Sequence, residues 1–148
     1  MKASIYMAFH TPSPVVASAS IIPIHVGRAV ADAPLDGMIG DDTGDTLSPY
    51  NGAYSELTAL YWAWKNDTDA THVGLMHYRR LLDFSGTHPS TAAEVCPEAV
   101  RLDDYAAATE TWLQRNAEID LVLPVAHRMP MTVDENYADQ HDPRDLDF

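Results

Sequence analysis

The stretch His72-Val73-Gly74-Leu75-Met76-His77-Tyr78-Arg79-Arg80 decides the fold. Its first part is apolar on both faces, with Val73 and Leu75 on one and Gly74 and Met76 on the other. That is the pattern of a central strand in a sheet covered by helices on each side. It then turns abruptly polar at His77-Tyr78-Arg79-Arg80. Ligands of open α/β sheets bind beyond the carboxyl ends of the strands, which is where this tetrapeptide falls. A two-residue period sends His77 and Arg79 to one side and Tyr78 and Arg80 to the other. Adjacent arginines at a strand end suit the clamping of a diphosphate; a solvated strand end with a surface salt bridge is the plainer alternative. His72 and His77 are five apart, on opposite strand faces, and so do not form a metal pair.

Upstream, Ala3 to Phe9 is a buried strand running into the loop His10-Thr11-Pro12-Ser13-Pro14. Ile21 to Val26 is a second strand, moved toward a sheet edge by Pro23. Asp32 to Gly52 reads as a long polar loop, and Ala53 to Lys65 as a helix with Leu57, Leu60, Tyr61 and Trp64 on one apolar face. Downstream, Asp103 or Asp104 caps a helix whose Tyr105, Thr109, Trp112 and Leu113 share a face. Ile119 to Leu123 is a further buried strand, and Thr132 with Glu135 forms a capping box that opens one more helix. Strands alternating with helices imply an α/β sheet with parallel connections. His141 to Phe148 carries no closing pattern, so the fold is expected to continue beyond this chain.

The 148 residues amount to one domain, 46% hydrophobic, with 22 acidic against 9 basic side chains and a net charge of −13. Nine scattered cations supply no basic stripe for phosphate backbones, which argues against nucleic acid as a partner. Cys96 is the only cysteine, so a disulfide framework and paired-cysteine zinc sites are excluded, and a reducing, cytoplasmic setting fits. Its neighbourhood offers no base for a catalytic thiol. The apolar start imitates a secretion signal, but His10, Pro12 and Pro14 interrupt it. No stretch approaches the roughly 20 apolar residues of a membrane span, which leaves peripheral membrane association at most. No glycine-rich phosphate loop is present.

A second charged motif is Asp41-Asp42-Thr43-Gly44-Asp45-Thr46-Leu47-Ser48. Asp42-Thr43-Gly44 is the tripeptide of aspartic proteases, yet Asp41 and Asp45 add charges that upset a shared-proton pair. The octapeptide also imitates an aspartyl-phosphate loop, though Gly37 to Gly40 is short for the strand that presents such a nucleophile. A calcium loop fails, since the positions for Gly and Glu hold Thr46 and Gly52. A purely structural reading is a cluster of Asx turns leading into the next helix.

Taken in order, Asp41-Asp42-Thr43-Gly44-Asp45, then Glu56-Leu57-Thr58-Ala59-Leu60-Tyr61-Trp62-Ala63-Trp64-Lys65-Asn66, then Val73 to Arg80 closely resemble a bacterial family. It is the glycosyltransferase family of capsular and exopolysaccharide biosynthesis loci, originally a domain of unknown function. Ile5-Tyr6 with His10, Pro23 to Gly27, and Tyr137, His141 and Asp145-Leu146-Asp147 extend the resemblance from residue 3 to the end; Thr46 and Ser55 depart from the family's usual Asn and Cys. Family members are longer by several tens of residues, so residues 1–148 are expected to be the N-terminal, donor-binding portion of one domain, with acceptor binding and part of the catalytic machinery beyond it.

The resemblance implies a GT-A-like nucleotide-binding sheet flanked by helices, taking a UDP-linked sugar to a lipid-linked glycan at the inner face of the membrane. His77-Tyr78-Arg79-Arg80 stands where such enzymes commonly carry an Asp-x-Asp metal motif. No cofactor is therefore expected, and the cations would neutralise the leaving diphosphate in place of a divalent metal. On this reading His10, Thr11, His77, Tyr78, Arg79 and Arg80 bind the donor. Asp41, Asp42 and Asp45 are the catalytic candidates, lining the same cleft, with one as general base. A noncatalytic sugar- or nucleotide-binding module is the alternative, and a hydrolase built on the Asp loop is the third.

Overall fold

Strand β1, Ala3–Phe9, is buried along its whole length. The computed structural model describes residues 1–84, 94–95, 100–124 and 130–140, and Cys96, His141 and Asp145 to Asp147 lie outside them. Ile5, Met7 and Phe9 of β1 pack in one cluster with Tyr105 and Leu113, while Tyr6 and Ala8 pack in another with Ala59 and Ala63. Alternation along one strand thus feeds two cores, each roofed by a helix.

β1 pairs in parallel with β2 (Ile21–His25) on one side and with β4 (His72–His77) on the other; the two-residue β3 (Ile39–Gly40) pairs in parallel with β2. The sheet order is β3-β2-β1-β4. This is the expected α/β architecture, a parallel sheet flanked by helices. The strand that defines it is, however, not central: among the described strands β4 is an edge, and Val73 is 42% exposed. Ile119 to Leu123, the expected further strand, has no strand pairing, and Leu121 and Leu123 are both 71% exposed. The two corrections have one cause. Without a partner ladder for Ile119 to Leu123, the outer side of β4 stays open.

Pro23 lies inside β2 after all. Ser20 and Val26 bond to β1 through their backbone, whereas His25 C=O accepts from Asp41 on the opposite side. Odd positions therefore face β3, and β3 pairs only with Ile24 and His25. The donor that Pro23 lacks falls where no strand runs.

The expected helix from Ala53 to Lys65 is two helices, α1 (Asn51–Tyr54) and α2 (Leu57–Asn66), broken at Ser55 with φ 47°. Its expected buried face is turned outward: Leu57 is 56%, Leu60 40% and Trp64 70% exposed. Thr58, Ala59 and Ala63 are the residues against the sheet. Small side chains let α2 approach Tyr6 and Ile24 closely, and that outweighs burying the larger ones.

On the other face α3 (Leu102–Arg115) buries Tyr105, Thr109 and Leu113 as its periodicity requires. Its N-cap is Arg101, with Asp103 and Asp104 in the first turn rather than at the cap. Glu110 ties α3 to the sheet by accepting from Ser18 Oγ, Ser20 N–H (2.7 Å) and Ser20 Oγ (3.0 Å). Burial pushes this carboxyl up, but the serine donors outweigh it and hold it below its usual value. The capping box opens α4 (Val133–Gln140): Thr132 N–H donates to Glu135 Oε2 (2.8 Å) and Glu135 N–H to Thr132 Oγ1 (3.2 Å). A short ladder pairs β5 (Leu81–Leu82) with β6 (Glu94–Val95) in antiparallel fashion.

Candidate functional site

The chain leaves β1 to build β2 and β3 on one side, and returns to the other side only at β4. Neighbouring strands whose connections diverge leave a crevice at their carboxyl ends. The residues at that point are His10, directly after β1, and His77, the last of β4. Their rings lie 6.3 Å apart, and Tyr78 stands 5.4 Å from His10 and 4.4 Å from His77.

Beyond His77 the extended period ends. Arg80 N–H donates to His77 C=O (2.9 Å), closing a turn, and Tyr78 N–H donates to Ala8 C=O. The expected alternation therefore reaches only His77 and Tyr78, which take opposite faces, and the turn does not carry it on to the arginines. Tyr78 folds inward, 7% exposed and stacked on Phe9, while Arg79 and Arg80 are both exposed. Arg79 Cζ sits 5.5 Å from the Tyr78 ring centre. Among the described residues neither arginine makes an ion pair. Thr11 is half-buried beside His10.

The His77 ring is held from two sides. Its Nδ1 accepts from Arg79 N–H at 3.1 Å, and its Nε2 lies 3.2 Å from Glu56 Oε1. Burial lowers the imidazole pKa below its usual value, Arg79, Arg80 and His10 lower it further, and Glu56 opposes them. The ring is therefore neutral at pH 7. Sequence reading missed Glu56 as a site residue because an acid just before a helix is commonplace, favoured there by the helix dipole.

The Asp41 loop is built differently. Asp41 is fully buried; its carboxylate accepts from Gly27 N–H (2.9 Å), Arg28 N–H (3.1 Å) and Ser48 Oγ. Enclosed and holding three donors, it does not face an open cleft, contrary to the expectation that it lines one. Asp42 Oδ1 is 2.9 Å from Arg28 Nε, so its partner is a guanidinium and not the second carboxylate of a shared-proton pair. Asp45 is exposed and takes a hydrogen bond from Tyr61 OH at 2.9 Å.

The tip of this loop is stitched to α2. Trp62 Nε1 donates to Thr43 C=O (2.8 Å), Asp45 N–H donates to Asn66 Oδ1 (3.1 Å), and Asn66 Nδ2 donates to Asp45 C=O (2.9 Å). Gly44, at φ 62°, is required because a Cβ there would collide with Asn66 Oδ1. Asp45 is thus anchored at the last turn of α2, whereas His77 meets Glu56 just before its first. A ten-residue helix is about 15 Å long, so the structure sets Asp45 and the arginine turn at opposite ends of α2.

A cavity of about 400 Å³ follows the open edge of β4, walled by Val73, Met76, Trp112 and Leu121, with His77 and Arg80 also in its lining. Among the described residues no group of three or more His, Cys, Asp and Glu side chains is arranged to hold a metal ion. No helix among them is long and apolar enough to cross a membrane.

A family described as Domain of unknown function (DUF4422) matches residues 4–148. Among solved structures, the chain is similar to one described as the apo structure of the bifunctional glycosyltransferase WbbM. Identity is 48% and the TM-score 0.55, over 59% of this chain and 15% of that one. The chain thus spans a minor part of that protein's length. No curated protein matches.

Proposed function

This chain belongs to the DUF4422 family, and from that premise we propose that it forms the nucleotide-sugar-binding part of a glycosyltransferase. The observation that carries the reading is the meeting of His10, Tyr78 and the exposed Arg79 at the carboxyl ends of β1 and β4, with the exposed Arg80 next in the same turn and neither arginine ion-paired among the described residues. Similarity to a glycosyltransferase structure over 59% of the chain supports it.

In this proposal the donor is a UDP-linked sugar. Its diphosphate lies against Arg79 and Arg80, with His10 and Thr11 on the nucleotide side. Fixed guanidinium groups stabilise the charge that develops on the leaving diphosphate, in place of a divalent metal. Of the three loop carboxylates, Asp42 is assigned to the sugar side: it follows the carboxyl end of β3 by two residues and is partly exposed. The acceptor is a lipid-linked glycan of capsular or exopolysaccharide assembly, met at the cytoplasmic face of the membrane.

Thermal-shift titration with UDP, UDP-sugars and GDP tests the donor site. Stabilisation by UDP is expected, and indifference to every nucleotide refutes the reading. In a complete family member, transfer is expected to survive EDTA; loss of activity restored by Mn²⁺ would sink the metal-free mechanism.

A further inference from the structure

We infer that Glu56 is a positioning residue: its carboxylate fixes the tautomer of His77 and, through that ring, the turn that presents Arg79. Register places His77 opposite Ala8, hence on the α2 side of the sheet and facing the residue that precedes α2. A ring nitrogen that accepts a hydrogen bond carries no proton. Since Nδ1 accepts from Arg79 N–H, the proton of the neutral ring is on Nε2, 3.2 Å from Glu56 Oε1.

One nitrogen thereby takes a backbone donor, and the other lies beside a carboxylate of the same chain. His77 acts as a bracket between α2 and the arginine turn, not as a group offered to a ligand. A carboxylate beside an imidazole N–H sets tautomer and ring orientation in just this way. The backbone supplies the aim. Ser55, the only non-glycine residue at positive φ among those described, is held by Asn51 Nδ2 (2.8 Å) and Thr58 Oγ1 (3.1 Å), both donating to its C=O. That bend ends α1 and sets Glu56 at the head of α2. The far end of α2 grips the Asp41 loop through Asn66, so one helix links the loop to the turn.

The bracket is sensitive to protonation. An imidazolium has no acceptor, so a proton on Nδ1 releases Arg79 N–H. The groups facing the ring are Glu56 from the head of α2, Arg79 and Arg80 in the turn, His10 from the end of β1, and the neighbouring Tyr78. Glu56 alone among them favours the charged ring.

The consequence for nucleotide rests on the donor-site reading, so the experiment separates the two. Imidazole ¹⁵N shifts of His77 and the amide shift of Arg79 are followed against pH in the wild type, Glu56→Gln and Glu56→Ala, together with UDP affinity. The wild type is expected as the Nε2–H tautomer, with the Arg79 amide titrating in step with the ring. Glu56→Gln keeps an oxygen acceptor and the tautomer but lowers the pKa of His77. Glu56→Ala mixes the tautomers, shifts the Arg79 amide and weakens UDP about tenfold, against less than about twofold for Glu56→Gln. An Nδ1–H tautomer in the wild type, or an unchanged ring and Arg79 amide in Glu56→Ala, overturns the inference. If the ring behaves as expected but the wild type binds no UDP, the donor-site reading falls and the ring shifts still support Glu56 as the positioning residue.

Discussion

The loop from Asp41 to Ser48 and the turn from His77 to Arg80 are the two charged motifs of the chain, and they treat their charge in opposite ways. In the loop, Asp41 accepts from two backbone N–H groups and a hydroxyl and Asp45 from Tyr61 OH, while Asp42 is ion-paired with Arg28 and its buried Oδ1 has no hydrogen-bond partner among the described residues. In the turn, Arg79 and Arg80 are exposed, and Arg79 Cζ lies 5.5 Å from the centre of the Tyr78 ring, which is itself stacked on Phe9. A buried carboxylate that gathers three internal donors holds backbone in place; an exposed cation remains available. At Asp41 the first motif is a frame, whereas the second is the surface proposed to bind the donor.

Asp41→Ala breaks the comparison at its strongest point. It strands the buried Gly27 N–H, the partly buried Arg28 N–H and the Ser48 hydroxyl, and is expected to cost about 3–5 kcal/mol in urea denaturation. A loss under about 1 kcal/mol would mean that the loop is not a frame. Arg79→Ala should do the reverse, with UDP affinity falling by about 1.5–3 kcal/mol in calorimetry while the denaturation midpoint stays put. A drop in stability with unchanged affinity would assign the turn to the frame as well.

Glu110 sharpens the same contrast on the other face. Its folded pKa lies below the usual 4.5, so its stabilisation is complete above that value and disappears as pH falls through the folded value. Glu110→Gln is expected to cost about 1–2 kcal/mol at pH 7, and the gap from wild type should close in acid denaturation series; a gap independent of pH would contradict the serine-held carboxylate. Trp64→Ala has the smallest expected effect, under about 0.5 kcal/mol, because its ring is 70% exposed and its face is covered by Lys65 Nζ at 3.8 Å. A large loss there would mean that the outward face of α2 is buried after all.

Some of this was legible in the chain as written. β1 is announced by seven residues that suit burial on either side, α3 by the spacing of Tyr105, Thr109 and Leu113, and α4 by the Thr132 to Glu135 box. The polar tetrapeptide after Met76 does fall at a strand end. Periodicity turns the wrong face of α2 toward the core because it weighs size and apolarity, whereas close approach to Tyr6 and Ile24 selects Ala59 and Ala63. Ile119 to Leu123 has the composition of a strand, but composition cannot supply the neighbouring ladder.

The sequence by itself determined which segments are apolar enough to pair as strands, where they stop, and which short motifs carry charge. Those are local properties of side chains and turns. Only the tertiary structure decided that the chain returns beside β1, that His10 and His77 meet there, and that Glu56 faces the ring. It also decided that Asp41 is enclosed while Arg79 stays exposed. The physical reason is that a charge becomes structural or available according to the partners that reach it, and those partners come from residues remote in the chain.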